Sequence, residues 1–412
     1  MTKTMKNDRT SGGIPARSRS RWHVQHAAVA LLAAGLAGTA GAAEDIKVGT
    51  VLSFSQVMGV YGNAIMDGFK LAVEEAGGQA AGRKIVVIAE DDKNDPKVAL
   101  QLVRRLTKDE KVDFLVGPVG SNIAQAIRED AHRSKTFLLV ANAGNDELTR
   151  ELCSPYIMRM SFSNWQWNYP LGEYAADKLG KRAALVASNF VAGKQMGAAF
   201  RSGFEAKGGK VVDETYPAMG TADFSNIFTK LRGMEDQLDV VWSFIPGSGT
   251  VNYVNQYAQT KLKPVNVGPQ SNADNFFFSA MQDNALGVIG SGHYVMTNES
   301  VRNTAFVAAF SKRYKRLPSA VDVQGYDSAN MIIETVKRLK GNLGDKQAVR
   351  KAMLEVNINS PRGYFKIDPE TGNAIQNIYI TKVVKRVGGY AHEILQTFEK
   401  VRDPDTSCKL VW

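Results

Sequence analysis

The residues best placed to do chemistry are small and polar and lie in two loops, Gly117-Pro118-Val119-Gly120-Ser121-Asn122 and Asn142-Ala143-Gly144-Asn145. Each loop follows a short apolar run, residues 112–116 and 137–140, with the composition of a buried parallel strand. Between the runs Ile123, Ala126, Ile127 and Ala131 recur at the spacing of one helix face. Strand, loop and helix in that order present the N–H groups of a helix N-terminus, which attract carboxylate or phosphate. In open α/β sheets ligands bind beyond the carboxyl ends of strands. The pattern therefore predicts a small anion-bearing ligand near Ser121 and Asn142. Ser121 could instead only cap its helix.

The elements that must position these loops alternate strand and helix. Residues 46–53 read as a strand. Ile65, Phe69, Ala72, Val73 and Ala76 give residues 63–76 one apolar helical face, which Gly77-Gly78 ends. Residues 84–89 read as a strand, and Asp95-Pro96 opens a helix to about residue 108, with Asp as cap and Pro at the first position. A second series begins near Arg159. Helices are expected over 168–179, 192–206, 224–234 and 250–260, with strands over 183–187, 211–216, 239–243, 265–267 and 288–290. Further helices cover 302–316, 325–339 and 346–354. A hairpin-like end follows, with strands over 363–368 and 378–384 about the turn Pro369-Glu370-Thr371-Gly372. The expectation is an α/β protein of two doubly wound parallel-sheet units with right-handed crossovers.

At 412 residues, 44% hydrophobic and 22% charged, the chain has an ordinary globular composition and room for more than one domain. Its net charge of +10 is concentrated at the start. Residues 1–43 hold six basic residues and one acid; removing them from 51 and 41 leaves 45 and 40, a weak excess that does not suggest nucleic acid. Basic residues up to Arg21, an Ala/Leu/Val-rich run over 27–40 and the small residues Ala40-Gly41-Ala42-Ala43 have the form of a cleavable signal peptide. The apolar run is too short for a membrane span. The expected location is the periplasm. Cys153 and Cys408 are the only cysteines; an oxidising compartment permits a disulfide, and they are expected to pair and tie the C-terminal tail back near the middle of the chain.

Catalysis finds little support. After residue 43 the histidines are His132, His293 and His392, far apart and without metal-ligand spacing. No G-x-S-x-G, P-loop or G-x-G-x-x-G follows a strand. The acids Glu90, Asp91, Asp92 and Asp95 lack EF-hand spacing. No enzyme activity, cofactor or metal is expected. A cytosolic ligand-sensing regulator is a remote alternative that the export signal contradicts.

Fragments in order along the chain resemble the leucine/isoleucine/valine-binding family of ABC-transporter periplasmic receptors. They are Ile46-Lys47-Val48-Gly49, Tyr61-Gly62, Asp67-Gly68-Phe69, Glu90-Asp91-Asp92 with Asp95-Pro96, and Val112 to Pro118 with Ser121. Arg159, Ser163-Asn164, Asp223-Phe224 and Gly325-Tyr326-Asp327 continue them. The resemblance implies a type I binding-protein fold with two lobes joined by a three-crossover hinge near Met160, Gly292 and Ser360. It divides the chain into a signal peptide, 1–43, lobe 1, 44–160 plus 293–360, and lobe 2, 161–292 plus 361–412. It implies a monomer whose partners are a small-molecule carboxylate and the membrane permease subunits of an importer. It also implies ligand contacts from Tyr61, Gly120, Ser121, Asn142, Ala143 and Gly144 in lobe 1, and from Phe190, Phe244 and the loop after 265–267 in lobe 2.

Amino-acid binders of the family usually carry an acid in that last loop, where this chain has Gln270. An enclosed ammonium without a carboxylate partner is poorly compensated. Trp165, Trp167, Phe190, Trp242 and Phe244 make the second lobe's cleft side aromatic. The favoured ligand is an aromatic acid such as a benzoate or hydroxycinnamate. A branched-chain or other amino acid, or an amide, is the alternative, with Asp274 or Asp327 able to supply the missing charge.

Overall fold

The computed structural model describes residues 44–404 and 407–412, and the segment read as a signal peptide lies outside them. The first half of the chain builds a six-stranded sheet. Its strands are β1 (Ile46–Leu52), β2 (Gln79–Ala80), β3 (Arg83–Asp91), β4 (Phe114–Val116), β5 (Phe137–Val140) and β6 (Ile157–Arg159). They lie in the order β2-β3-β1-β4-β5-β6, parallel except for the β2–β3 hairpin. Helices α1 (Gly59–Glu75), α2 (Pro96–Lys108) and α3 (Ser121–Ser134) connect the strands.

The second sheet follows α4 (Asn164–Lys178). It contains β7 (Arg182–Ala187), β8 (Lys210–Thr215), β9 (Val240–Phe244), β10 (Val265–Pro269) and β11 (Ile289–Gly292), with helices α5 (Val191–Ala206), α6 (Ser225–Gly233), α7 (Gly249–Thr260) and the short α8 (Phe278–Met281). The chain then returns to the first lobe as α9 (Val301–Tyr314), α10 (Ala320–Arg338) and α11 (Lys346–Glu355). It ends in β12 (Phe365–Ile367), β13 (Ala374–Arg386) and β14 (Gly389–Val401). The second sheet runs β12-β13-β11-β10-β9-β7-β8, with β14 beside β13. Three passages therefore join the lobes: β6 to α4, β11 to α9, and α11 to β12.

Side-chain caps set several helix starts. The carboxylate of Asp95 accepts from the N–H groups of Lys97 and Val98 and starts α2. Ser163 and Gln166 form a reciprocal capping box, so α4 begins at Asn164 and not near residue 168. Ser319 and Asp322 do the same for α10, which puts Gly325-Tyr326-Asp327 inside the helix, where a start near 325 was expected. Helix α1 begins at Gly59, so Tyr61 lies in its first turn. Gly68 and Gly325 let α1 and α10 cross at backbone contact: a Cβ on Gly68 would lie 1.8 Å from the Asp322 carbonyl oxygen, and one on Gly325 1.9 Å from that of Ile65.

Residues Asp146–Thr149 make one 3-10 turn before the chain rejoins the sheet as β6. One expectation about the sheets is corrected. The C-terminal part is larger than the expected hairpin. β12, β13 and β14 are antiparallel, so the second sheet is mixed. β14 escapes pattern reading because it is an outer strand whose exposed positions mix Glu393, Thr397, Glu399 and Lys400 with Ile394 and Leu395. The tail is fastened where Cys153 and Cys408 are joined as a disulfide, their Cα atoms 5.5 Å apart.

Candidate functional site

The loops singled out by their small residues lie at one wall of a cavity between the lobes. Gly120 is the extended N-cap of α3 and Ser121 its first helical residue. The Ser121 hydroxyl does not cap its own helix; it accepts from the Gly144 N–H at 3.3 Å, which binds the two loops together. The first N–H groups of α3 have no intrahelical acceptor. Asn142 is held by its side-chain N–H₂, which donates to Gln324 Oε1 at 2.7 Å on α10. Gly120, Ser121, Asn142 and Gly144 all line the cavity.

Ala143 does not. Its N–H donates to the Pro118 carbonyl, and its own carbonyl accepts from Arg159 Nη1 at 2.6 Å. The buried Arg159 guanidinium also donates to the Asn145 carbonyl and to Thr149 Oγ1, so it holds the loop from behind. Arg159 was legible as a family residue, but its part in supporting the loop needed the fold.

The opposite wall is aromatic. Phe162 and Trp167 are stacked with ring centroids 3.4 Å apart, and Phe190 and Phe244 at 5.9 Å. Ala192, Met196 and Pro246 fill between them, and Met58 and Val119 close the lobe 1 side. The Trp167 indole N–H donates to His293 Nδ1 at 3.2 Å, which fixes the ring's tilt. Burial holds His293 well below its ordinary range, so it is neutral and can accept that bond.

Three residues singled out as aromatic or polar contacts stand elsewhere. Trp165 stacks on Tyr169 at 4.9 Å and does not line the cavity. Trp242 is core, its indole N–H donating to Asn168 Oδ1. Gln270 is buried, turned towards His392 and packed against Gly290 and Gly292. The capping box at Ser163 explains the first: with α4 starting at Asn164, Asn164 and Trp167 share a face and Trp165 falls on another.

The remaining corner of the cavity is polar. Tyr61 accepts from the Gly247 N–H at 2.9 Å, and Ser271 and Asp274 lie beside it. Asp274 is only 2% exposed. Desolvation, aided by the neighbouring Asp322, raises its carboxyl to about 7, against the opposing pull of the Asn275 N–H and Arg316. The acid missing at Gln270 is thus supplied to the cavity four residues later. Asp327 is not available for this role: it is fully buried and paired with Arg362 at 2.8 Å. Among the described residues no cluster of His, Cys, Asp and Glu could hold a metal ion, and no helix is long and apolar enough to cross a membrane.

The family model for periplasmic binding proteins matches residues 45–388. The Leu/Ile/Val-binding protein homolog 6 of Brucella melitensis is 30% identical over 386 residues, covering 92% of this chain and 98% of that protein. Among solved structures, an ABC-transporter solute-binding protein from R. palustris in complex with benzoate superposes with a TM-score of 0.84. It is 30% identical, over 89% of this chain and 100% of that one. A solute-binding protein from Rhodopseudomonas palustris BisB5 in complex with 3,4-dihydroxybenzoic acid has a TM-score of 0.82 and 32% identity, over 88% and 99%. A leucine-binding protein from Thermotoga maritima, at 19% identity and a TM-score of 0.76, shares the fold. With two lobes, three connections and a cavity between them, this chain belongs to the periplasmic binding protein family, as an ABC-type solute-binding protein of the leucine/isoleucine/valine-binding kind.

Proposed function

We propose that the protein is an extracytoplasmic receptor that encloses a small aromatic carboxylate, a benzoate or hydroxycinnamate, between its lobes and presents it to the membrane subunits of an ABC importer. The observation that carries this reading is the pairing of two walls in one cavity. Gly120 and Ser121 offer the N-terminal turn of α3 to a carboxylate, and Phe162, Trp167, Phe190 and Phe244 offer ring faces to an aromatic body. Two solute-binding relatives at 30% and 32% identity, in complex with benzoate and 3,4-dihydroxybenzoic acid, support the same class of ligand. The work done is binding and not catalysis. A ligand touching both walls favours the closed arrangement because only that arrangement supplies both sets of contacts.

A second reading has its own observation. Asp274 in the cavity could meet an ammonium, which favours an amino acid. Calorimetric titration of the protein without residues 1–43 separates the two. Benzoate, 4-hydroxybenzoate or p-coumarate is expected to bind at micromolar affinity or better, with leucine and phenylalanine silent. Binding of leucine with no response to the aromatic acids would establish the second reading in place of the first.

A further inference from the structure

We propose that Asp274, with Ser271 and Tyr61, forms a subsite for a ring hydroxyl, so that the receptor selects hydroxylated aromatic acids over unsubstituted ones. The inference rests on the aromatic-carboxylate reading and deepens it. All three residues line the same cavity as the α3 N-terminus. Asp274 Oδ1 is buried and makes no hydrogen bond to the protein, and Ser271 Oγ is buried beside the Tyr61 hydroxyl. Buried polar atoms without partners are rare, and where they face a ligand cavity they mark what the ligand must bring.

Two of the three subsite residues, Ser271 and Asp274, come from the lobe opposite the anion wall, and Tyr61 reaches them from α1 of the first. Gly120 and Ser121 follow β4 in the first sheet, whereas Ser271 and Asp274 follow β10 in the second. A carboxylate on the first side and a hydroxyl on the second would make one ligand bridge both lobes with polar contacts. The stacked rings alone cannot tell a C–H edge from a C–OH edge. A hydrogen-bonding pocket rejects the analogue lacking the hydroxyl, because its own groups are then left unpaired.

The chemistry of the corner fits a neutral hydroxyl better than a cation. The Tyr61 oxygen already accepts from Gly247, so its remaining proton can be offered to a neighbour. Asp322 stands near Asp274 and disfavours a second full negative charge there, and the resulting carboxyl near neutrality can either donate to or accept from a phenol. An ammonium would require the ionised carboxylate.

The test is calorimetric titration with benzoate, 4-hydroxybenzoate and leucine of the native sequence from residue 44 and of Asp274→Ala, Asp274→Asn and Ser271→Ala. The readout is the ratio of the benzoate to the 4-hydroxybenzoate dissociation constant. In the native protein the ratio is expected to be about tenfold or more, as one recovered hydrogen bond provides. Asp274→Ala is expected to bring it close to one. Should that variant fail to fold, Asp274→Asn and Ser271→Ala decide, and each is expected to narrow the ratio several-fold. A native ratio near one, or a ratio unmoved by the folded variants, overturns the subsite while leaving the aromatic reading intact. Leucine binding that is lost in Asp274→Asn, with neither aromatic acid bound, overturns both and reassigns Asp274 to an ammonium.

Discussion

The hydroxyl of Tyr61, on α1 of the first lobe, accepts a hydrogen bond from the backbone N–H of Gly247, in the loop after β9 of the second, at 2.9 Å. The Ser248 N–H donates to the Val57 carbonyl beside it at 3.2 Å. Both bonds cross the cleft, so they belong to the closed arrangement and must break when the lobes part. Gly247 has a φ of +63°, and a Cβ there would sit 2.1 Å from the Val57 carbonyl oxygen.

Gly247→Ala should therefore prop the lobes apart. The added methyl strains the left-handed backbone and also meets the facing chain. Ligand affinity is expected to fall by about tenfold or more, because binding must then select a costlier closed state. The lobes themselves should unfold at nearly the native temperature. Calorimetry with small-angle scattering checks this; a variant that still compacts on ligand addition with native affinity would contradict it.

The ion pair of Arg362 and Asp327 lies next to the third passage between lobes and is wholly buried. Ser360 donates to the same carboxylate, and Arg362 Nη1 reaches Gln376 Oε1 at 2.9 Å. Removing one partner strands the other charge away from water. Arg362→Met is expected to lose about 3–5 kcal/mol in urea unfolding. The double variant Arg362→Met with Asp327→Leu should recover much of that loss, since an apolar pair leaves no stranded charge. A single variant within about 1 kcal/mol of native would show that water or a nearby group compensates the charge.

Stability should also depend on pH through Asp274 and Asp146, both raised to about 7 by burial from an ordinary value of 3.8. The folded state keeps these protons where the unfolded chain has lost them, so their effect is to lower stability as pH rises from about 4 to about 7. Asp274 is faced by Asp322 and Arg316 from the α9–α10 corner, by Tyr61 from α1, and by the N–H groups of Asn275 and Ala320. Asp274→Asn removes its titration. The variant should melt higher than the native protein at pH 8, and the gap should close by pH 4. Thermal melts at both values suffice, and a gap independent of pH would mean that Asp274 does not hold its proton in the folded state.

What could be read without coordinates depended on how local the cause was. The loops at Ser121 and Gly144 were legible because strand, small loop and helix are consecutive, and their meeting follows from two neighbouring parallel strands. Asp274 was only one of two candidates, because residues 270–281 form short successive turns with no periodicity to fix which side chains face inwards. Gln270 occupies the loop position where an acid was expected, yet tertiary contacts with His392 and Gly292 decide where its side chain goes. The choice between Trp165 and Trp167 was recoverable: Ser163 and Gln166 form a capping box visible in the sequence, and it sets the helix phase. β14 was not, since its edge position leaves it no apolar alternation.

The disulfide is expected to act on stability and to leave ligand binding alone. Cys153 and Cys408 are 255 residues apart, and neither lines the cavity. The tail that the bond fastens also places Trp412 edge-on against Tyr156 at 5.6 Å and Arg402 against Asp368 at 2.7 Å. Closing so long a loop removes much freedom from the unfolded chain, whereas the folded tail has these other contacts to hold it. Cys153→Ser with Cys408→Ser should lose about 2–4 kcal/mol in urea unfolding. The same loss should follow when the native protein is unfolded in reductant, while the ligand dissociation constant stays within about twofold. A loss of affinity matching the loss of stability would mean that the tail reaches the cavity through the Asp146–Arg150 segment, whose Arg150 pairs with Asp403 at 3.0 Å. Unchanged stability in the double variant would mean that the tail's packing alone suffices.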